Sequence, residues 1–240
     1  GKAMRGGLLR NINAPYDNRV NVGVVHEADE KAVAQAMASA SKQQHDWDLL
    51  GGEVRADILE KAASLYEEKS VRLMALLVQE AGKTLDNALS DLREAVDFLR
   101  YYAVQARAEF SGVLRLPGPT GESNELTLHG RGVFACIAPW NFPLAIFTGQ
   151  VAAALASGNV VVAKPAEQTP LVAYEAVKLL HLAGVPPSVL HFLPGDGARI
   201  GKTLLAHPAL SGVAFTGSNE TASLINRALA AREGAFVSLI

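Results

Sequence analysis

The middle of the sequence lacks charge, because no Asp, Glu, Lys or Arg occurs between Arg131 and Lys164. A membrane span needs an uninterrupted run of about 20 apolar residues. Prolines, glycines and amide side chains break this stretch into shorter pieces, so a membrane span is excluded. We therefore predict that the uncharged stretch is buried core.

Cysteine is also scarce, since Cys136 is the only one in 240 residues. An internal disulfide framework is thereby excluded, and a single thiol suits a reducing compartment. The six histidines show no metal-site spacing, so we predict no metal site. The first 20 residues contain no apolar segment followed by a cleavage site, and we expect a cytoplasmic protein.

Excess charge of either sign is absent as well. The formal net charge is −2, which gives no electrostatic case for a nucleic-acid or anionic-membrane partner. With 49% hydrophobic and 19% charged residues, the composition is that of a globular protein with a substantial core.

The pattern of apolar residues predicts helices first and a mixed architecture later. Spacings of three and four residues predict helices over 28–47, 53–82 and 84–106, separated by Gly51-Gly52 and by a break at Gly82. Two short extended runs flanking Pro117-Gly118-Pro119 then predict a protruding hairpin. We accordingly divide the chain into an N-terminal helical part (1–112), a hairpin (113–131) and an α/β core (132–240).

From residue 132 onward, apolar strands alternate with helices. Strands are predicted at 133–140, 159–165, 188–195 and 212–218, each followed by a helix, and a fifth strand begins near residue 236. Strands this apolar, alternating with helices, predict a Rossmann-like parallel sheet covered on both faces.

Polar residues and glycines follow the predicted carboxyl ends of four consecutive strands. These loops read "PWNFP" (139–143), "KPAEQTP" (164–170), "PGDG" (194–197) and "FTGS" (215–218). Ligands of open α/β sheets bind at this edge. The segment "GDGARIG" (195–201) resembles a dinucleotide glycine fingerprint, but it has one residue too many and follows the third strand. A tight strand-to-helix turn is therefore the favoured interpretation.

The same loops resemble a known family. "PWNFPLAIFTGQVAAALASGNVVVAKPAEQTPL" followed by "GVAFTGSNE" is similar to the aldehyde dehydrogenase superfamily. "REAVDFLRYYA", "AGKT" and "PWNFPLAIFTGQ" look most like the L-glutamate γ-semialdehyde (1-pyrroline-5-carboxylate) dehydrogenase module of bifunctional proline-utilisation enzymes. The resemblance extends over nearly the whole chain.

The resemblance implies a role for Asn141 as the side-chain donor of an oxyanion hole. An amide in apolar surroundings needs a hydrogen-bond partner, which would then be substrate oxygen. The competing interpretation is a structural Asn that caps the following helix.

The resemblance also implies an NAD site. Lys164 and Glu167 would hold the adenosine ribose, and the Glu167 carboxylate would disfavour a 2′-phosphate. Each could otherwise be a solvated loop charge, and Ser218, assigned to the pyrophosphate, could be an ordinary helix cap. The predicted cofactor contacts are Ile137, Pro139, Trp140, Asn141, Lys164, Pro165, Glu167, Gly197, Gly201, Phe215, Thr216, Gly217, Ser218 and Thr221.

The substrate implied by the resemblance is L-glutamate γ-semialdehyde, contacted by Glu94 and Phe142. A solvated helix face is an alternative for Glu94. The family's nucleophilic cysteine and its Glu-Leu/Thr-Gly-Gly base motif do not occur in the sequence, and Cys136 lies inside the first strand of the sheet. We expect Cys136 to be a buried hydrophobe and the chain to be the amino-terminal half of a longer enzyme.

Two alternatives stay open: an aldehyde dehydrogenase for another aldehyde, and a non-catalytic binding or assembly module. The resemblance further implies that the hairpin docks on other protomers of a homo-oligomer. It is compatible with a proline dehydrogenase domain in the same polypeptide.

Overall fold

The computed structural model describes residues 7–240 and begins with an antiparallel hairpin that the sequence analysis missed. It consists of β1 (Leu9–Ala14) and β2 (Asp17–His26). Val20, Val22 and Val24 alternate with Asn21 and Gly23, so the period-two signal of a strand was present in the sequence and was overlooked. Most side chains of β2 are exposed or half-buried.

From residue 7 to the end of the helical part there are four helices rather than the three predicted: α1 (Glu30–Leu49), α2 (Gly51–Glu68), α3 (Ser70–Ala81) and α4 (Leu85–Phe110). The single helix predicted over 53–82 is wrong, because the backbone leaves the helical region at Lys69 (ψ 17°). The apolar periodicity continues across this break and conceals it. The predicted break at Gly82 is confirmed: Gly82 has a φ of +66° and ends α3 with a left-handed cap.

The second part is the predicted Rossmann-like α/β core. Its five strands are β5 (Val133–Ile137), β6 (Val160–Lys164), β7 (Leu190–Phe192), β8 (Leu210–Phe215) and β9 (Ser238–Leu239). They are parallel and lie in the order β7-β6-β5-β8-β9. Helices α5 (Ala145–Ala156), α6 (Pro170–Ala183), α7 (Gly197–Ala206) and α8 (Asn219–Ala230) follow the first four strands. The strand order reverses between β5 and β8, which places the ligand-binding edge of such a sheet at their carboxyl ends.

The segment between the two parts is a short exposed hairpin of β3 (Leu114–Leu116) and β4 (Asn124–Leu126). Its base is fixed to α1, because Asp48 accepts a hydrogen bond from the backbone N–H of Gly130 at 2.7 Å. A Cβ atom on Gly130 would lie only 2.1 Å from the carbonyl oxygen of Gly158, so this close backbone approach requires glycine.

Within residues 7–240, no helix combines the length and apolar character needed to cross a bilayer.

Candidate functional site

A cleft of about 840 Å³ lies at the carboxyl ends of the central strands. The loops after β5, β6 and β8 contribute to its wall, and so does helix α7, which follows β7. Every residue that we predicted to contact a cofactor lies on this wall except Pro165. The size is that of a small-molecule or cofactor site.

Asn141 lies on the wall of the cleft with its side chain exposed, so the premise that this amide is buried is wrong. Its Oδ1 atom accepts a hydrogen bond from the backbone N–H of Phe142 at 3.2 Å. Asn141 does not cap the following helix, whose N-cap position is Leu144. Asn141 therefore lines the cleft while its Oδ1 atom makes a local hydrogen bond within the turn.

The cap of α5 comes instead from Asp91 of α4, which the sequence analysis did not single out. The buried Asp91 carboxylate accepts a hydrogen bond from the backbone N–H of Ala145 at 2.8 Å and lies 3.1 Å from Lys83 Nζ. Burial raises the pKa of Asp91, although these two partners act in the opposite direction. A signal was available, since Asp91 falls on the apolar face of α4 beside Ala88 and Leu92.

Lys164 is buried, which rules out the solvated-charge interpretation for this residue. Its Nζ atom lies 3.3 Å from the carbonyl oxygen of Pro165 and 3.9 Å from Oε1 of Glu167. Burial lowers the pKa of Lys164, and the nearby carboxylates of Glu167 and Asp196 only partly oppose this effect. The ammonium group is thus held at the cleft with long contacts to its acceptors.

Glu167 connects two loops of the cleft, because its Oε1 atom accepts a hydrogen bond from the backbone N–H of Gly197 at 2.8 Å. Its main-chain carbonyl accepts a hydrogen bond from Arg10 of the N-terminal hairpin. Asp196 accepts hydrogen bonds from the first turn of α7, which agrees with the prediction that "GDGARIG" is a tight strand-to-helix turn.

Ser218 is the N-cap of α8, and its Oγ atom accepts a hydrogen bond from the backbone N–H of Thr221 at 3.2 Å. The capping interpretation of this serine therefore describes its local contacts. A Cβ atom on Gly217 would lie 2.6 Å from the ring of Phe215, so glycine allows the ring to lie against the cleft.

Gln150 is a further residue that the sequence analysis missed. Its Nε2 atom donates hydrogen bonds to the carbonyl oxygen of Ile137 at 3.2 Å and to Oγ1 of Thr216 at 3.1 Å. The backbone N–H of Thr216 also donates to the carbonyl of Ile137 at 3.2 Å. Gln150 therefore fixes the ends of β5 and β8 against each other at the switch point.

The two predicted substrate contacts lie outside the wall of the cleft. Glu94 is exposed on α4, as the helix-face alternative anticipated. Phe142 is 40% exposed, and Lys83 Nζ lies 4.3 Å from the centroid of its ring. Phe142 is next to Asn141 in the turn, whereas Glu94 has no such connection to the cleft.

Cys136 is fully buried in β5, as predicted for a small core hydrophobe. Burial raises the pKa of its thiol to about 12. A thiol in this environment is neither accessible nor ionised, and it cannot serve as a nucleophile.

Comparison with known proteins agrees with this fold. Residues 9–239 match the model of the "Aldehyde dehydrogenase family". The bifunctional protein PutA of Klebsiella aerogenes is 47% identical over 226 residues, which is 94% of this chain and 16% of that protein.

Many solved structures are similar to this chain, and two of them illustrate the range of identity. A mutant of proline utilization A (PutA) from Bradyrhizobium japonicum is 57% identical with a TM-score of 0.88, over 90% of this chain and 22% of that one. A 1-pyrroline-5-carboxylate dehydrogenase from Thermus with bound NAD is 35% identical with a TM-score of 0.92, over 97% of this chain and 46% of that one. The chain therefore spans less than half the length of these relatives, and it belongs to the aldehyde dehydrogenase family.

Proposed function

We propose that this chain is the cofactor-binding part of an NAD-dependent dehydrogenase that oxidises L-glutamate γ-semialdehyde to L-glutamate. The observation that carries the proposal is the convergence of Asn141, Lys164 and Glu167 on one cleft at the switch point of the sheet. The similarity of the chain to PutA proteins and to a 1-pyrroline-5-carboxylate dehydrogenase supports L-glutamate γ-semialdehyde as the substrate over other aldehydes.

The residues of the cleft fit NAD. Among the described residues, the acceptors near Lys164 Nζ lie at 3.3 and 3.9 Å, which leaves donor capacity for ribose hydroxyls. Glu167 has one oxygen bound to Gly197 and a side chain that is 40% exposed, so it can accept from a ribose hydroxyl and repel a 2′-phosphate. When bound, NAD accepts the hydride removed from the aldehyde carbon.

Asn141 is the proposed donor to the aldehyde oxygen. Its Oδ1 atom faces the N–H of Phe142, which orients the amide and leaves the Nδ2 donor for substrate. A preorganised donor at such a position is worth about 3–4 kcal/mol in the transition state. Pro139 and Pro143 restrict the backbone on either side of this donor.

The nucleophile and the general base are not among these 240 residues in the form the family uses. We propose that they follow in the same polypeptide: the cysteine attacks the aldehyde, and the glutamate activates water to release the acid. Some relatives of this chain are named bifunctional. We therefore propose that the complete protein also contains a proline dehydrogenase domain.

The hairpin of β3 and β4 is the proposed contact with other protomers. Leu114, Leu116, Leu126 and Leu128 of this segment are each at least 43% exposed, and a two-stranded hairpin is marginally stable alone. Replacing Leu114 and Leu126 with Ser should shift the sedimentation coefficient of the complete enzyme to that of a smaller species. An unchanged oligomer would remove this role.

The exposed position of Glu94 favours one alternative, an aldehyde dehydrogenase for a different aldehyde. The decisive experiment measures kcat/KM of the complete enzyme for glutamate γ-semialdehyde and for aliphatic aldehydes of the same chain length, with NAD and NADP. We expect at least a tenfold preference for the semialdehyde and for NAD. An equal or greater kcat/KM for the uncharged aldehydes would refute the substrate, and no NAD-dependent oxidation at all would refute the activity.

A further inference from the structure

Two side chains of opposite charge lie beneath the turn at 139–143 without forming part of the cleft wall. The Asp91 side chain is fully buried, that of Lys83 is 10% exposed, and the distance from Lys83 Nζ to Asp91 Oδ2 is 3.1 Å. A buried ion pair is costly to desolvate, and an apolar pair of similar volume often stabilises a fold as well or better. Stability alone therefore does not account for these charges.

Each member of the pair contacts the turn in a different way. Asp91 Oδ1 accepts a hydrogen bond from the backbone N–H of Ala145 at 2.8 Å, which fixes the end of the turn at the start of α5. Lys83 Nζ lies 4.3 Å from the centroid of the Phe142 ring, within the range of a cation–π interaction. Asn141 is the next residue towards the N-terminus, and its Oδ1 accepts from the backbone N–H of Phe142.

We propose that Lys83 and Asp91 are positioning residues for Asn141, holding the turn so that its amide points at the aldehyde oxygen. The ion pair keeps the ammonium group over the Phe142 ring, and the carboxylate holds the backbone three residues further on. This inference rests on the proposed function, because Asn141 is the oxyanion donor there. Its consequence is that the pair acts on the chemical step and not on NAD binding.

The first test is kinetic and uses the complete enzyme. Lys83→Met keeps an unbranched side chain that is one heavy atom shorter and removes its charge. We expect kcat to fall at least about tenfold, because small misplacements at a reacting centre lower the rate strongly. The Kd for NAD should stay within about twofold of wild type, since neither residue lies on the cleft wall. Lys83→Arg restores a charge at this position and should recover most of kcat.

A matched control exists on α6. Lys178 Nζ lies 3.0 Å from Glu175 Oε2 and 5.7 Å from the centroid of the Tyr174 ring, so it also combines an ion pair with a cation–π contact. None of these three residues lines the cleft. Lys178→Met should leave kcat unchanged.

The second test needs no activity. Hydrogen–deuterium exchange over residues 142–148 should be faster in Asp91→Ala, because the N–H of Ala145 loses its acceptor. It should also be faster in Lys83→Met, because the accepting carboxylate loses the ion pair that fixes it and the Phe142 ring loses its cation. Exchange over residues 170–176 should not change, since the start of α6 is held by Glu80 instead. Asp91→Asn keeps an acceptor oxygen for the N–H of Ala145 but loses the ion pair, so its exchange should lie between that of wild type and that of Asp91→Ala.

The outcomes separate this inference from the proposed function. A wild-type enzyme that does not oxidise the semialdehyde refutes the proposed function, and exchange over 142–148 then still tests whether the pair holds the turn. An active wild type whose kcat is unaffected by Lys83→Met refutes the positioning role alone. A parallel loss of kcat and NAD affinity also refutes the positioning role, because it would mean that the whole cleft is disrupted. If Asp91→Ala does not fold, Lys83→Met is used for both the kinetic and the exchange test.

Discussion

The Glu167 carboxylate and the backbone N–H of Gly197 are joined by a hydrogen bond of 2.8 Å between loops that follow neighbouring strands. One oxygen of the proposed ribose ligand is therefore fixed by the protein itself. Because the acceptor is preorganised, substitutions of Glu167 should change cofactor preference as well as cofactor affinity.

Glu167→Ser removes the ribose acceptor and the charge, so we expect weaker NAD binding and a narrower NAD/NADP preference. Glu167→Gln keeps an oxygen for Gly197 and removes only the charge. Glu167→Gln should therefore also narrow the preference for NAD over NADP, but with a smaller loss of NAD affinity than Glu167→Ser. Titration of both cofactors against the two variants measures this, and a fixed preference ratio in both would exclude Glu167 as the ribose ligand.

Asn141→Ala should lower kcat of the complete enzyme by roughly a hundredfold or more. The residue is exposed and caps no helix, so the change should leave folding intact. NAD affinity should change little, because the amide is proposed to act on the aldehyde oxygen. Single-turnover kinetics isolates the chemical step, and an unchanged rate there would remove the oxyanion assignment.

Most of the α/β core could be predicted because its signals are local. Strands that are buried on both faces contain continuous apolar runs, and Gly184 after α6 marks a helix end directly. The loops at the strand ends could be placed on one edge because parallel strands share their direction. The residues of the cleft wall followed from that topology and from the family resemblance.

The supports of the site could not be predicted in the same way, because they depend on contacts between distant elements. Asp91 caps α5 from α4 and Glu80 caps α6 from α3, 54 and 91 residues away in sequence. Nothing near the starts of these two helices announces such a cap. The only available signal was a carboxylate on an otherwise apolar helix face, and it does not identify the partner.

Glu80 makes stability depend on pH. Its carboxylate is buried and accepts hydrogen bonds from the backbone N–H groups of Leu171 and Val172 at 2.6 and 2.8 Å. Burial raises its pKa from 4.5 to about 7, although those two hydrogen bonds and Arg10 act in the opposite direction. The folded state thus holds this proton more tightly than the unfolded state.

The corresponding contribution to stability is on the order of 3 kcal/mol. It is fully present below pH 4.5 and is lost as pH rises through about 7. Glu80→Gln should therefore flatten the fall in unfolding free energy between pH 5 and 7.5, measured by urea denaturation. Glu68→Gln is the control, since that side chain is 61% exposed. The same pH slope in wild type and Glu80→Gln would show that Glu80 is ionised throughout.

Cys136 allows a direct test of whether the catalytic nucleophile belongs to residues 1–240. The thiol is fully buried between Ala135 and Ile137, and its pKa is raised to about 12. The thiol is therefore not ionised at pH 7, and substrate has no access to it. Residues 1–240 alone should therefore produce no NADH from an aldehyde.

In the complete enzyme, Cys136→Ala should keep kcat within about twofold of wild type, at a cost of about 1 kcal/mol of stability from the small cavity in β5. Alkylation of the native enzyme followed by peptide mapping should leave Cys136 unmodified under conditions that abolish turnover. Two results would place the nucleophile in this chain after all: turnover by the isolated residues, or a folded Cys136→Ala enzyme without activity.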